Sequence, residues 1–268
     1  MIIKRKEGDE KMLFDSHAHI DAKRFDEDRD EVIKRANEKG VHFIMNPGVD
    51  LESSKKAIEL AEKYEGIYAA VGYHPHEAKL MDDTMLELLK SMASHKKVKA
   101  IGEIGLDYHY DHSPRKVQKE WFIKQIRLAK ALKLPVIVHD RDANADTLAI
   151  LKREEAFENG VLLHCYSVSK ELAEQYIALG AYISLAGPVT FKNAKKPKAV
   201  AKAVPLNRIM IETDSPYLTP EPNRGKRNES AYVEYICNQI AQLKGISFDQ
   251  IAEATTANAK RFFKIDEE

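Results

Sequence analysis

The chain predicts a single α/β domain of the (β/α)8 TIM-barrel type, built like a metal-dependent hydrolase. Three features carry that expectation. Eight short β-branched runs alternate with longer amphipathic segments, several runs open just after a Gly or Pro that stops the preceding helix, and metal-ligand side-chain types recur where the runs end. Alternation of this kind demands parallel strands joined by right-handed crossovers. An open doubly wound sheet is the competing arrangement, but it places a glycine-rich phosphate loop after its first strand, where this chain has His17-Ala18-His19. Residues 12–265 are read as one barrel, with the charged, aperiodic run 1–11 as an N-terminal extension.

The strands are expected at 13–19, 41–47, 67–73, 98–104, 135–140, 160–166, 181–186 and 209–214. The first reads Leu-Phe-Asp-Ser-His-Ala-His, an apolar start running into two imidazoles. Alternate side chains share one face of a strand, so His17 and His19 are expected to point the same way, about 7 Å apart. Gly40, Gly66, Pro135, Gly160 and Gly180 punctuate the joins before later strands. In the segment 114–132, Pro114 suits a first helical turn, Ser113 can cap it, and Phe122, Ile126 and Ala129 fall on one face. After the eighth strand, helices are expected over 229–243 and 248–262, the second opened by a Ser247/Gln250 capping box.

The strand ends carry the functional signal. Strand three runs into Gly72-Tyr73-His74-Pro75-His76, strand four contains Glu103, strand five ends His139-Asp140-Arg141, strand six His164-Cys165-Tyr166, and strand eight Glu212-Thr213-Asp214. Taken singly, each polar residue reads most simply as a cap or a satisfied histidine. Glu103, His139 and His164, however, follow apolar runs, where an unpaired polar group costs on the order of 1–3 kcal/mol. In a barrel all strand C-termini open on one mouth, so separate strands delivering His, His, Glu, His, His and Asp there describe a metal centre. Strand parity then puts Arg141 beside His139 and Tyr166 beside His164 at the mouth. By the same parity Cys165 turns outward to the helices, and Glu212 lies one layer beneath Asp214 as support. His74 is expected to meet substrate and His76 to be a surface cap.

Bulk composition narrows the partners. Of 268 residues, 42 are Lys or Arg and 42 are Asp or Glu, so no global field draws in nucleic acid and any polyanion must be met by a local patch. Cys165 and Cys237 lack metal-type spacing and are expected as reduced thiols. No apolar run approaches the length of a bilayer span, and a cytoplasmic location without a membrane or obligate protein partner is expected.

Asp15-Ser16-His17-Ala18-His19, Val71-Gly72-Tyr73-His74-Pro75-His76, Ile101-Gly102-Glu103-Ile104-Gly105-Leu106-Asp107-Tyr108, His139-Asp140-Arg141, His164-Cys165-Tyr166-Ser167 and Glu212-Thr213-Asp214-Ser215-Pro216-Tyr217-Leu218 together resemble the TatD family of metal-dependent deoxyribonucleases. The resemblance runs in order from about Met12 to Phe263, and that family belongs to the amidohydrolase-like barrels. It implies that His17, His19, Glu103 and Asp214 hold one divalent metal, and that Glu103 bridges to a second held also by His139 and His164. Two departures stand out: Tyr166 where members commonly have Phe, and Ser230 after Arg227-Asn228-Glu229 where they often have Pro. Neither removes a ligand.

Imidazoles suit Zn, Mn or Ni and carboxylates also suit Mg, so two divalent ions are expected without a fixed identity. With that centre, Glu103 and Asp214 are the catalytic carboxylates, Asp214 taking the proton of an attacking water. The reaction implied is phosphodiester hydrolysis at DNA ends, releasing nucleotides with a 5′-phosphate. His74, Arg141, Tyr166, Arg227 and Asn228 are assigned to the substrate. Arg224, Lys226 and Arg227 form a basic loop that suits phosphates, and Tyr73, Tyr108 and Tyr166 are candidates to stack on bases. The alternative enzymatic reading keeps the centre and changes the bond, to a carboxylic ester, an amide or a D-aminoacyl-tRNA ester. A barrel that only binds or scaffolds is the non-enzymatic reading, and the complete set of ligand types argues against it.

Overall fold

Eight parallel strands follow one another around the sheet in chain order: β1 (Leu13–Asp15), β2 (Val41–Pro47), β3 (Ile67–Val71), β4 (Val98–Asp107), β5 (Val136–Arg141), β6 (Val161–Leu163), β7 (Tyr182–Leu185) and β8 (Ile209–Ile211). The structure is a computed structural model that describes residues 12–265, and the expected extension 1–11 lies outside the described residues. Ser16 N–H donates to Ile211 O at 3.0 Å and Asp214 N–H to His17 O at 2.9 Å, which brings the last strand round to the first. The sheet is therefore a nearly closed (β/α)8 barrel, and sequential strand order excludes the doubly wound alternative.

Helices α1 (Arg29–Glu38), α2 (Leu51–Lys63), α3 (Asp83–Ala93), α4 (Arg115–Leu132), α5 (Asn144–Arg153), α6 (Lys170–Ala178) and α7 (Lys195–Ala203) connect the strands, and α8 (Val233–Lys244) and α9 (Phe248–Phe263) follow β8. The Ser247/Gln250 capping box opens α9 as expected, with both reciprocal bonds present. Ser113 does not cap α4. Its hydroxyl donates to His76 O at 2.8 Å and accepts from Lys79 N–H at 3.0 Å, so it ties the loop after β3 to the start of α4.

Period-two alternation sorts the strand residues into two clusters. Phe14, Met45, Ala70, Ala100, Ile137, Leu162, Tyr182 and Met210, one from each strand, pack with Phe262 and Phe263 of α9. Their neighbours, among them Leu13, Ile44, Val71, Ile101, Val138, Leu163, Ile183 and Ile211, pack against the helices. The first cluster fills one end of the barrel, where Phe14 stacks on Phe263 with centroids 5.8 Å apart. Polar residues fill the other end.

Several strands end earlier than their apolar runs suggest. β1 stops at Asp15, β6 at Leu163 and β8 at Ile211, so His17, His19, His164 and Asp214 stand on the connections just beyond. The reason is local bonding. The Asp15 carboxylate accepts from Thr213 N–H and its hydroxyl, while Ala18 N–H reaches Met45 O and His19 N–H reaches Ser215 O. β4 does the opposite and runs three residues longer than expected, to Asp107.

Candidate metal centre

Glu103 stands at the middle of the mouth. Strict alternation after Ala100 would put Gly102 inside and Glu103 outside. The β4–β5 register shifts between Ile101 and Ile104, and that irregularity lets the Glu103 side chain enter the barrel. Its backbone N–H is fixed to Gly48 O at 2.9 Å. Two residues on, Gly105 has φ +148, and a Cβ there would meet His139 O at 1.9 Å, so only glycine lets β4 and β5 close beside the site.

Each oxygen of Glu103 faces a different set of donors. Around Oε2, His17 Nε2 lies at 3.3 Å and His19 Nε2 at 3.5 Å. The two nitrogens are 3.2 Å from each other, and 3.8 and 3.7 Å from Asp214 Oδ1. Around Oε1, His164 Nε2 lies at 2.8 Å and His139 Nδ1 at 3.0 Å, themselves 3.4 Å apart. Ligands about 2.1 Å from a cation at tetrahedral corners stand roughly 3.4 Å apart, so both sets have the separation a divalent ion needs. His17, His19 and Asp214, and likewise His17, Glu103 and His164, are groups that could hold one.

For three of the imidazoles the far side fixes which nitrogen faces inward free of a proton when the ring is neutral. His19 Nδ1 lies 3.2 Å from Pro47 O, His164 Nδ1 3.3 Å from Glu212 Oε1, and His139 Nε2 3.1 Å from Asp107 Oδ2. In each case the outer nitrogen donates, so that once the ring is neutral its lone pair is aimed inward as a ligand requires. His74 is different. It also groups with Glu103 and His139, with Nε2 3.4 Å from Glu103 Oε1, yet its Nδ1 accepts from His76 N–H. The proton of the neutral ring is thus on Nε2, which makes His74 a hydrogen-bond donor at the site and not a ligand.

Burial and charge set the protonation pattern. Burial alone raises the Glu103 carboxyl, but His164, His74 and His17 around it pull it well below the usual carboxylate range. Burial lowers His17 to about 4 and His74 to about 3, both helped down by a neighbouring imidazole, so each is neutral at pH 7. Burial also lowers His19, but Glu103 and Asp214 overcome it and take the ring up to about 9. Asp214 is pushed up to about 7 by burial, against the pull of His164 and His19.

The donors lie in a cavity of about 840 Å³ whose lining includes His19, His74, Glu103, His139, Arg141, His164 and Asp214. The predicted residues divide there. His17, His19, Glu103, His139, His164 and Asp214 come together, and Glu212 lies behind His164, also accepting from Cys165 N–H at 2.7 Å. Tyr166, Arg227 and Asn228 are corrections. Tyr166 is buried outside the cavity lining, and its hydroxyl donates to Ser169 O at 2.9 Å. Arg227 pairs with Asp28 at 2.6 Å over the Phe25 ring. Asn228 is fully buried and brackets the β8 loop, donating to Thr213 O and Tyr217 O at 2.8 and 2.6 Å.

Cys165 is a further correction. Its φ of +46 turns the chain after β6, parity no longer applies, and Cys165 is among the residues lining the cavity. His76 is no surface cap: its Nε2 lies 2.9 Å from Asp107 Oδ2, and it lines the cavity too. Asp107, within the Ile101–Tyr108 stretch, is a further site residue whose role local pattern leaves open. Its two-residue spacing from Gly105 on an apolar strand was the available signal.

A parallel barrel with imidazoles and a shared carboxylate at its C-terminal mouth defines a metal-dependent hydrolase. The chain belongs to the TatD family, whose TatD related DNase pattern matches residues 14–264. It is 51% identical to a metal-dependent hydrolase, YabD, of Bacillus subtilis, over 95% of this chain and all of that one. It is 37% identical to the 3'-5' ssDNA/RNA exonuclease TatD of Cronobacter turicensis, covering 94% of this chain and 97% of the relative. The solved structure of the TatD homologue YJJV from Escherichia coli superposes with a TM-score of 0.90 at 31% identity, covering 95% of this chain and 98% of the other. No helix among the described residues is long and apolar enough to cross a membrane.

Proposed function

We propose that this chain hydrolyses phosphodiester bonds at the ends of nucleic acid, with DNA as the main substrate and two divalent cations as cofactors. One observation carries the reading: a single buried carboxylate, Glu103, with a separate set of inward lone pairs on each oxygen. His17, His19 and Asp214 would hold one cation with Glu103, and His139 and His164 the other. Cations there supply an activated water and offset charge growing on the phosphoryl oxygens. The exonuclease name of the Cronobacter relative supports a nucleic-acid substrate.

The chain's own residues divide the remaining work. Arg141 at the cavity wall positions a phosphate. His74, neutral and protonated on Nε2, donates to a substrate oxygen or to Glu103. Asp214 accepts the proton as the water oxygen bonds to phosphorus and the P–O3′ bond breaks; O3′ takes up a proton from solvent to leave as a 3′-hydroxyl, and the released nucleotide keeps a 5′-phosphate. Asp107 and Glu212 keep His139 and His164 turned inward.

The test is direct. Protein stripped of metal and resupplied with Mg, Mn, Zn or Ni should shorten an end-labelled DNA strand one nucleotide at a time. DNA left intact with every ion, alongside cleavage of a carboxylic ester or a D-aminoacyl-tRNA, would remove the phosphodiesterase reading and keep the centre.

A further inference from the structure

We infer that Tyr110 and Tyr217, the latter with Leu218, are stacking platforms for unpaired nucleobases on either side of the metal cavity. The inference rests on the phosphodiesterase reading and names the side chains that would receive the bases of an unpaired strand.

Exposure singles them out. Six large apolar or aromatic side chains are exposed among the described residues, and three of them, Tyr110, Tyr217 and Leu218, line this cavity. Tyr110 is 58% exposed and Tyr217 52%. Scattered exposed apolar groups need no explanation, but a concentration at one polar cavity does. The tyrosines singled out from sequence behave otherwise. Tyr73 donates to Met85 Sδ and Tyr108 to Asp146, and neither lines the cavity.

Position fits the role. Tyr217 stands edge-on to His19, with centroids 6.3 Å apart, and so beside the donor set on Oε2 of Glu103. Tyr110 stands edge-on to His76 at 5.4 Å, and His76 shares the Asp107 carboxylate with His139 of the other set. Each donor set therefore has its own exposed ring.

Both platforms are tethered through the backbone; the Tyr217 ring is half exposed, and the Tyr110 ring is packed against His109 at 4.7 Å and His112 at 5.6 Å while still more than half exposed. Tyr217 N–H donates to Asp214 O at 2.9 Å, and its carbonyl accepts from buried Asn228 at 2.6 Å. Leu218 is held at φ +51, a left-handed conformation unusual for leucine, and its carbonyl passes Gly187 so closely that a Cβ there would lie 1.8 Å away. Tyr110 N–H donates to Asp107 Oδ1 at 2.9 Å, and its ring lies nearly parallel to His112, 14° between planes. A ring fixed this way offers area at little entropic cost. Bases inside a duplex have both faces covered, so such platforms favour single strands and are tolerant of sequence, since every base has a π-face.

The experiment uses the metal-loaded full chain and two single-stranded oligonucleotides, one natural and one whose terminal nucleotides are abasic. Base–aromatic stacking corresponds to roughly 5- to 150-fold in affinity per base. Wild type should show a lower KM for the natural strand, and Y110A and Y217A should each shrink that preference, while Tyr217→Trp restores it. Equal loss on both strands, or no loss, overturns the inference. A 2-aminopurine base near the strand end gives a readout independent of cleavage. Quenching on binding that disappears in Y217A supports stacking even if no strand is cut, in which case only the phosphodiesterase reading fails. Absence of quenching in wild type overturns stacking.

Discussion

The two ends of the barrel are buried alike and chemically opposed. At the closed end Phe14, Met45, Tyr182, Phe262 and Phe263 pack as apolar volume. At the mouth, the same strands and the connections just beyond them end in Glu103 and His164, just as hidden from water, and in His139 and Asp214, slightly more open. Burial at the closed end removes apolar area from water and stabilises the fold. Burial at the mouth shifts protonation, driving His17 and His74 down and Asp214 up. One architecture thus separates what holds the molecule together from what it does, and substitutions should respect that division.

The sharpest test is Glu103→Ala. Removing the carboxylate both donor sets share should lower turnover on the order of 10⁴-fold and empty the centre of metal by elemental analysis. Near-wild-type turnover would show that no shared ligand is needed. The counterpart at the closed end is Phe263→Ala, expected to cost about 3–5 kcal/mol in urea denaturation while kcat, measured well below the transition, stays within a few-fold. Lost activity with unchanged stability would erase the contrast between the ends.

A finer break separates the two donor sets. Asp107→Asn leaves a hydrogen-bond partner for His139 but weakens its orientation, so calorimetry should find one cation bound roughly 10- to 100-fold more weakly. The set containing His19 should bind as before, and two equally weakened events would argue against independent sets. A further test concerns protons. In the cation-free chain Asp214 holds its proton up to about 7 and His19 up to about 9, and an incoming cation must displace both. Affinity should therefore rise with pH between 6 and 9, by about tenfold per unit for each proton released. Binding heats at pH 7 that do not vary with buffer ionisation enthalpy would contradict this.

The sequence made the barrel and the six donors legible because both are written in local pattern: alternation for the strands, and ligand types placed where apolar runs stop. What it obscured lies where local pattern ends. Cys165 and Tyr166 were sorted by strand parity, but β6 stops at Leu163 and a left-handed turn at Cys165 exchanges their sides. Glu103 enters the barrel through a register shift that no residue type announces. Arg227 and Asn228 look like phosphate and substrate groups by type, yet tertiary partners at Asp28, Thr213 and Tyr217 already occupy them. Lys226 and Arg224 sit in the same loop, and the Arg224 guanidinium covers Phe191 at 4.2 Å. Among eleven tyrosines, only the fold distinguishes exposed rings from packed ones.

The long fourth strand has one more consequence. β4 and β5 stay paired through Gly105–His139, Leu106–Asp140 and Asp107–Arg141, beyond the point where β6 has ended. His139 thus rides on a stiff two-stranded ribbon and Glu103 stands just before it, whereas His17, His19, His164 and Asp214 hang from loops. Amide exchange should be slow along the ribbon and faster in those loops. A cation gripped there would meet ligands of unequal stiffness, His139 holding its place while the donors on loops shift to suit the ion's radius.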